Sequence, residues 1–130
     1  MTHHVERTVA LFQMQDRAAA LAQLGEWRLE RALEKLDAAL AATLGGRDGA
    51  HHVDRAAGSA EIVAVLEGVE RLEALGRLQA AIAAFQRDTG LRVLAAWSHD
   101  DDGAEPLGTL FSRAELAMHE RRNQVLAEAA

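Results

Sequence analysis

Cysteine is absent from this sequence of 130 residues, and its absence excludes disulfide frameworks, thiolate metal sites and cysteine nucleophiles. Proline occurs once, at Pro106, and aromatic residues make up only 4% of the chain, so a core has to be built from leucine, alanine, valine and isoleucine. No apolar run approaches the roughly 18 residues that a membrane-spanning helix needs. The N-terminus shows no basic segment followed by an apolar run, so we expect no signal peptide and a cytoplasmic location.

Positive charge is also scarce. Fourteen Lys and Arg residues stand against twenty Asp and Glu residues, which gives a net charge of −6. An acidic chain repels phosphate backbones, so this balance disfavours nucleic acid as a partner. The apolar fraction of 49% and the charged fraction of 26% are those of an ordinary globular protein. At this length we predict a single helical domain over residues 1–130.

The first third of the chain has the apolar periodicity of helices. A stripe of leucines recurs at steps of three and four, which places its members on one helix face. We therefore predict helices over Val5–Leu24 and Glu26–Leu44, either as one rod or as two helices that meet at Gly25. The leucines of the stripe are Leu29, Leu33, Leu36, Leu40 and Leu44.

A glycine-rich segment without periodicity follows, and we predict a loop over residues 45–58. Ser59 is suited to cap a further helix. Beyond it, one apolar stripe (Ile62, Leu66 and Val69) is about half a turn out of phase with a second (Leu78, Ile82 and Phe85). We interpret this change of phase as a helix break near Gly76.

The last third mixes strand and helix signals. The short apolar run Leu91–Trp97, the turn-like Ser98–Gly103 and Leu107–Phe111 together predict a β-hairpin over about 91–111. Ser112 with Glu115 three residues later has the form of a capping box and predicts a final helix to about Ala129. The predicted fold is mainly α, a bundle of four to five helices with this short hairpin before the C-terminal helix.

Sites of chemistry are hard to find in the sequence. The pairs His3-His4 and His51-His52 would make a metal site only if the two segments met in space, because adjacent side chains diverge. Asp100-Asp101-Asp102-Gly103 lacks the spacing of a calcium loop and is interpreted as a solvated hairpin tip. No catalytic or phosphate-binding motif occurs, so we expect no metal and no cofactor; an acid–base pair assembled from distant residues is left open.

Two resemblances bear on function. The order of elements from Ser59 onward, through Gly76–Ile82, Trp97 and Leu107–Phe111, resembles the winged helix-turn-helix of PadR-type regulators. That resemblance implies DNA binding, with Gly76–Arg87 in the major groove. The segment Leu24–Leu36 is similar to helical export chaperones of flagellar and type III systems, which implies a protein partner.

From these observations we predict a non-enzymatic helical module for protein–protein interaction, acting as a chaperone, adaptor or regulator. We expect it to form a homodimer or to bind a protein partner and not to be membrane-bound. The absence of catalytic motifs favours a protein that is not an enzyme, and the question is left open. A DNA-binding winged-helix regulator is the alternative hypothesis. The predicted partner-binding surface consists of Val5, Val9 and Phe12, which form a second apolar stripe beside the leucines, together with Trp27, which lies off the leucine stripe.

Overall fold

The computed structural model describes residues 5–44, 52–54 and 61–129. Helices and strands alternate along these residues, except that the strands β2 and β3 follow each other directly. Their bounds are β1 Arg7–Met14, α1 Arg17–Leu44, β2 His52–Asp54, β3 Glu61–Glu67, α2 Arg71–Thr89, β4 Val93–Asp100 and α3 Leu107–Ala129.

The strands form one antiparallel sheet in the order β2-β3-β1-β4. β1 is paired on both sides, so Phe12 lies opposite Ile62 of β3 and Ala95 of β4. The short β2 covers the other side of β3. Among the described strands, β4 pairs only with β1, so its other edge is free.

β1 forms a strand because both of its faces are buried. Residues Thr8–Phe12 are all at most 1% exposed. Successive side chains of a strand point to opposite faces, so Val9 and Leu11 contact α3 while Ala10 and Phe12 face the other helices. A strand covered on both sides shows an apolar run without alternation.

Helices cover the two faces of the sheet unequally. α1 and α2 pack with one face of the sheet into the larger core, and α3 packs on the opposite face into a smaller one. The predicted leucine stripe is confirmed as the buried side of α1, where Leu29, Leu33, Leu36 and Leu40 are all at most 3% exposed. These leucines therefore do form a core, but the opposite side of that core is formed by the sheet.

Gly25 divides α1 into two helical pieces. Its backbone, with φ 81° and ψ 166°, is the one non-helical conformation inside the helix. This region of backbone space is accessible almost only to glycine. Of the two alternatives that the sequence left open, one rod or two helices that meet at Gly25, the structure shows the second, and the first helix begins at Arg17 and not at Val5. The Asp16 carboxylate accepts a hydrogen bond from the Ala19 backbone N–H at 2.9 Å and so caps that start.

α2 runs without a break from Arg71 to Thr89, so the predicted break near Gly76 is wrong. The two stripes that differ in phase belong to two elements: Ile62 and Leu66 lie on β3, and Leu78 and Phe85 lie on α2. The carboxylate of Glu70 accepts from the backbone N–H groups of Leu72 and Glu73 and caps the helix. The segment that the sequence analysis interprets as one broken helix is thus a strand, β3, followed by a helix, α2.

The predicted bundle of four to five helices is wrong, because the described residues form three helices and a four-stranded antiparallel sheet. The physical reason is that a spacing of four residues keeps one face in a strand as well as in a helix. The predicted hairpin over about 91–111 is also wrong in its second half. Residues Val93–Asp100 form β4, as the sequence predicts for part of this run, but Leu107–Phe111 begins α3 and Ser112 lies inside that helix.

Some predictions fall on other parts of the chain. Most of the predicted loop over residues 45–58, and the Ser59 cap, lie outside the described residues; within that range His52–Asp54 form β2. The single domain over residues 1–130 stays a prediction.

We expect Gly25→Ala and Gly76→Ala to change stability in opposite directions. At both positions no described atom lies within 4 Å of an added Cβ, so crowding plays no part. Alanine at residue 25 is forced into a glycine-only conformation, which costs about 1–3 kcal/mol. Alanine at residue 76 lies within a regular helix and stabilises by about 0.5–1 kcal/mol. Urea unfolding followed by circular dichroism measures both, and equal effects of the two variants would contradict the kink.

Candidate functional site

A cleft of about 700 Å³ runs along the free edge of β4. α2 forms one wall, with Gln79, Ile82 and Gln86, and α3 forms the other, with Arg121 and Gln124. Its floor is the chain from Arg92 to Trp97. A volume of this order is typical of sites for small molecules, which range over about 300–1,000 Å³.

The polar side chains of the cleft are of two kinds. Four glutamines contribute carboxamides, which donate and accept hydrogen bonds at once. Arg92 and Arg121 bring two positive charges, against the single carboxylate of Glu128. In a chain with a net charge of −6, this excess of positive charge favours an anionic ligand. The glutamines are Gln15, Gln79, Gln86 and Gln124.

Local hydrogen bonds fix two of these groups. Gln86 Oε1 accepts from the backbone N–H of Val93 at 2.9 Å, which holds the carboxamide against the start of β4. The backbone N–H of Gln15 donates to the Arg92 carbonyl at 2.9 Å and ties the end of β1 to the same segment. The half-buried Trp97 closes the floor at the far end of the cleft. The walls are thus set by the fold and do not depend on a ligand.

Beyond the cleft, the turn from β4 to α3 is organised by Asp100, which is only 8% exposed. Its carboxylate accepts from the backbone N–H groups of Glu105 at 2.8 Å and Asp102 at 3.1 Å. The hydrogen bond from the Glu105 backbone is the main cause that lowers the pKa of the Asp100 carboxyl from its ordinary value of 3.8. Desolvation by burial acts in the opposite direction, whereas further backbone donors and Arg7 also lower the pKa. The acidic segment predicted as a solvated hairpin tip is therefore partly a buried support for this turn.

No protein-family model matches the sequence, and no curated protein matches it either. Solved structures do match. The GGDEF domain of FimX from Pseudomonas aeruginosa superposes with a TM-score of 0.78 over 95% of this chain and 78% of its own, at 14% identity. The chain has the fold of GGDEF domains.

Two further neighbours have the same fold. The GGDEF domain of DgcB from Caulobacter crescentus, solved in complex with c-di-GMP, gives a TM-score of 0.76 over 92% of this chain and 74% of its own, at 10% identity. The diguanylate cyclase SiaD from Pseudomonas aeruginosa, solved in complex with its activator SiaC, gives 0.74 over 92% of this chain and 47% of its own, at 14% identity. Identities this low establish the fold alone.

The GGDEF fold corrects the functional hypotheses drawn from the sequence. The hypothesis of a non-enzymatic helical interaction module of the chaperone, adaptor or regulator type is contradicted, because it presupposed a helical bundle, whereas the chain has the fold of GGDEF domains and one neighbour with this fold is a diguanylate cyclase. The winged-helix alternative is wrong as well, since Leu107–Phe111 is helical and the wing is absent from the described residues. The features interpreted as a winged helix belong to a different order of strands and helices.

GGDEF domains are named for a Gly-Gly-Asp-Glu-Phe segment, and this sequence does not contain it. Its single Gly-Gly pair, Gly45-Gly46, is followed by Arg47-Asp48, and no Asp-Glu pair occurs anywhere in the chain. Activity cannot be transferred from a fold by itself. Function therefore has to be argued from the residues that this chain does carry.

The structure does not bring the four predicted partner-binding residues together. Val9 and Phe12 are both fully buried, on opposite faces of the sheet. Val5 is 45% exposed and precedes β1. Trp27 is 70% exposed on α1, where the Arg31 guanidinium lies 5.2 Å from the centre of its ring. They do not form one continuous surface.

The histidine pairs cannot be compared with the structure, because His3, His4 and His51 lie outside the described residues and His52 is described only as part of β2. No helix in the described part of the chain combines the length and apolar character needed to cross a membrane.

Sequence reasoning missed the cleft residues Arg92, Trp97 and Arg121. They come from a strand and a helix, and their spacing along the chain matches no motif.

We expect Asp100→Asn to destabilise the protein at neutral pH, because the amide cannot accept both backbone hydrogen bonds. A carboxyl whose pKa is lowered on folding stabilises above its unfolded pKa, and this contribution is lost as the pH falls through the folded value. The stability difference from the unmodified protein should therefore narrow below about pH 4. Urea unfolding between pH 7 and pH 3 tests this. Asp102→Asn is the control, since it makes the same substitution in an exposed side chain two residues away and should change the stability little. A difference for Asp100→Asn that stays constant with pH would contradict the role of its charge.

We expect Phe12→Ala to destabilise the protein by about 3–5 kcal/mol, as is usual for a fully buried phenylalanine. Trp27→Ala should cost less than about 1 kcal/mol, because it removes only an exposed ring and its contact with Arg31. Chemical unfolding of the two variants measures the contrast. Similar values would mean that Phe12 is not in the core.

Proposed function

We propose that this chain binds a guanine nucleotide in the cleft beside β4. The observation that carries the proposal is the presence of two arginines and four glutamines in one cleft of an acidic chain. The fold supports it, because a GGDEF domain of the same fold was solved in complex with c-di-GMP. The phosphates and the base of a guanine nucleotide each have counterparts among the residues of the cleft.

The phosphates pair with arginine. Guanidinium groups bind phosphate oxygens through charge-assisted and often bidentate hydrogen bonds. Arg92 at the start of the floor and Arg121 on α3 line the same cleft and are both exposed, so their head groups can reach a ligand without leaving the surface. Glu128 is the one acidic side chain that lines it.

The guanine base can stack on Trp97 and form hydrogen bonds with the glutamines of the cleft. An indole ring offers a face for stacking, which is worth about 1–3 kcal/mol for a nucleic acid base. Guanine presents both acceptors and donors at its edges, and a carboxamide can satisfy either kind. Gln79, Gln86 and Gln124 are placed along the two helical walls.

The proposal concerns binding. Phosphoryl transfer from a nucleoside triphosphate is generally assisted by Mg²⁺, which takes oxygen ligands and is commonly held by carboxylates. Glu128 alone among the residues lining the cleft offers a carboxylate, so these residues do not fit a two-ion site. The Gly-Gly-Asp-Glu-Phe segment is also absent from the sequence.

We expect Arg92→Ala and Arg121→Ala each to weaken binding of GTP by about tenfold or more, because a hydrogen bond to a charged group contributes about 1.5–3 kcal/mol. Isothermal titration calorimetry with GTP, ATP and c-di-GMP provides the measurement. Arg77→Ala is the matched control: it removes the same charge, but Arg77 pairs with Glu73 outside the cleft.

Three results would count against the proposal: no binding of any guanine nucleotide, equal affinity for ATP and GTP, or an equal loss in the Arg77→Ala control. Samples incubated with GTP and Mg²⁺ should also be analysed by chromatography. Formation of c-di-GMP there would extend the function from binding to catalysis.

Self-association and a protein partner stay predictions, as does the cytoplasmic location. The exposed Trp27 remains available as a contact for such a partner, whereas Val9 and Phe12 do not. Among the solved neighbours, SiaD is held by an activator protein, so a protein partner has a precedent in this fold.

A further inference from the structure

Three metal-ligating side chains meet where β1 begins and β4 ends. His99 Nε2 lies 3.1 Å from Glu6 Oε2 and 3.2 Å from Asp101 Oδ1. Within the described ranges, this is a group of three residues whose donor atoms all lie within 4.8 Å of one another. The residues come from three segments: the stretch before β1, β4 itself and the turn that follows it.

The imidazole of His99 is held in place from its other side. Its side chain is only 6% exposed, and its Nδ1 lies 2.6 Å from the Thr8 hydroxyl. Thr8 is 1% exposed and pairs with His99 across the two strands. A metal-binding histidine usually has its second ring nitrogen fixed by a hydrogen bond in this way, which orients the first towards the ion.

The two carboxylates are also brought together by the backbone. A Cβ on Gly103, whose φ is +67°, would lie 1.9 Å from the Val5 carbonyl oxygen, so only glycine permits the turn after β4 to touch the segment before β1. The Glu6 carbonyl accepts from Gly68 N–H at 2.8 Å and holds that segment from the other side. Main-chain packing therefore places the segments that carry Glu6 and Asp101 beside His99, and the Asp101 carboxylate reaches the imidazole from the exposed side of the turn.

We infer that Glu6, His99 and Asp101 bind one divalent transition-metal ion such as Zn²⁺. Two ligand atoms about 2.1 Å from one ion are about 3.0 Å apart in octahedral geometry and about 3.4 Å apart in tetrahedral geometry. The 3.1 Å from His99 Nε2 to Glu6 Oε2 and the 3.2 Å to Asp101 Oδ1 fall within this interval, and the two carboxylate oxygens lie within 4.8 Å of each other. One imidazole with two carboxylates suits Zn²⁺ or Mn²⁺, and the two carboxylates balance the charge of the ion.

One side of the site is open. A cavity of about 360 Å³ adjoins it and is lined by His99, Asp101, Arg71 and Arg113, among others. Three protein ligands with an accessible fourth position are the arrangement of zinc sites that exchange water or bind a further ligand. Arg71 and Arg113 stand in this cavity against the carboxylates of Asp101 and Glu120, and Arg113 also pairs with Glu105, so water is the fourth ligand that the lining favours. The inference does not rest on nucleotide binding, because Glu6, His99 and Asp101 do not line the cleft beside β4.

The test is titration of the full chain, first dialysed against a chelator, with Zn²⁺ and with Co²⁺. We expect about one ion per chain, a visible absorption band for bound Co²⁺, and competition between the two ions. Asp101→Asn should weaken binding by at least about tenfold, because it replaces a ligand, and even the loss of a supporting group outside the ligands usually costs about 10–100-fold in affinity. This variant should fold normally, since the Asp101 side chain is 79% exposed.

Two control variants make the result specific. Asp102→Asn removes an equal charge one residue away and should leave the affinity unchanged. His119→Gln removes a histidine from the exposed surface of α3 and should also have no effect. Circular dichroism verifies that each variant is folded.

The inference is overturned if the chain binds no Zn²⁺, or if Asp102→Asn weakens binding as much as Asp101→Asn does. It is equally overturned if binding is lost only when His3, His4, His51 and His52 are replaced together, since those pairs would then be the site. In each of these cases the cluster of Glu6, His99 and Asp101 is not a metal site, and His99 is only hydrogen-bonded between the two carboxylates.

Discussion

The burial of β1 on both faces is the constraint on which the rest of the structure depends. Its side chains supply one wall to the core under α1 and α2 and another to the core under α3. Its backbone is paired along both edges. A change in the register of β1 by one residue would exchange the two sets of side chains, so this single strand fixes the positions of β3, β4 and all three described helices.

The sequence predicted the helical part of the fold well where periodicity was strong. The leucine stripe of α1 and the discontinuity at Gly25 are both present, because a long helix with one buried face has a spacing that no strand imitates. β1 and β3 were missed for two different physical reasons. β1 is apolar on both sides and does not alternate, whereas Ile62 and Leu66 of β3 are four residues apart, a spacing that suits either element.

Neither the cleft beside β4 nor the cluster of Glu6, His99 and Asp101 could be predicted from the sequence. The cleft beside β4 needs two helices and an edge strand, and its arginines are far apart in the chain. Glu6 and His99 are separated by 93 residues, and no local pattern marks either of them. What brings them together is the pairing of β1 with β4 and the close approach of Gly103 to Val5. The histidine pairs His3-His4 and His51-His52 are easy to find in the sequence because their members are adjacent, but adjacent residues rarely have the geometry of metal ligands.

The strand order has a consequence for how the protein is made. Arg7 pairs with Glu67 on one side and with Asp100 on the other, so the central strand is synthesised long before either of its neighbours. Until those segments leave the ribosome, an apolar strand with two unpaired edges is exposed, and long-range pairing of this kind slows folding. The segment that specifies the native sheet is thus also the one in greatest need of protection from aggregation during synthesis.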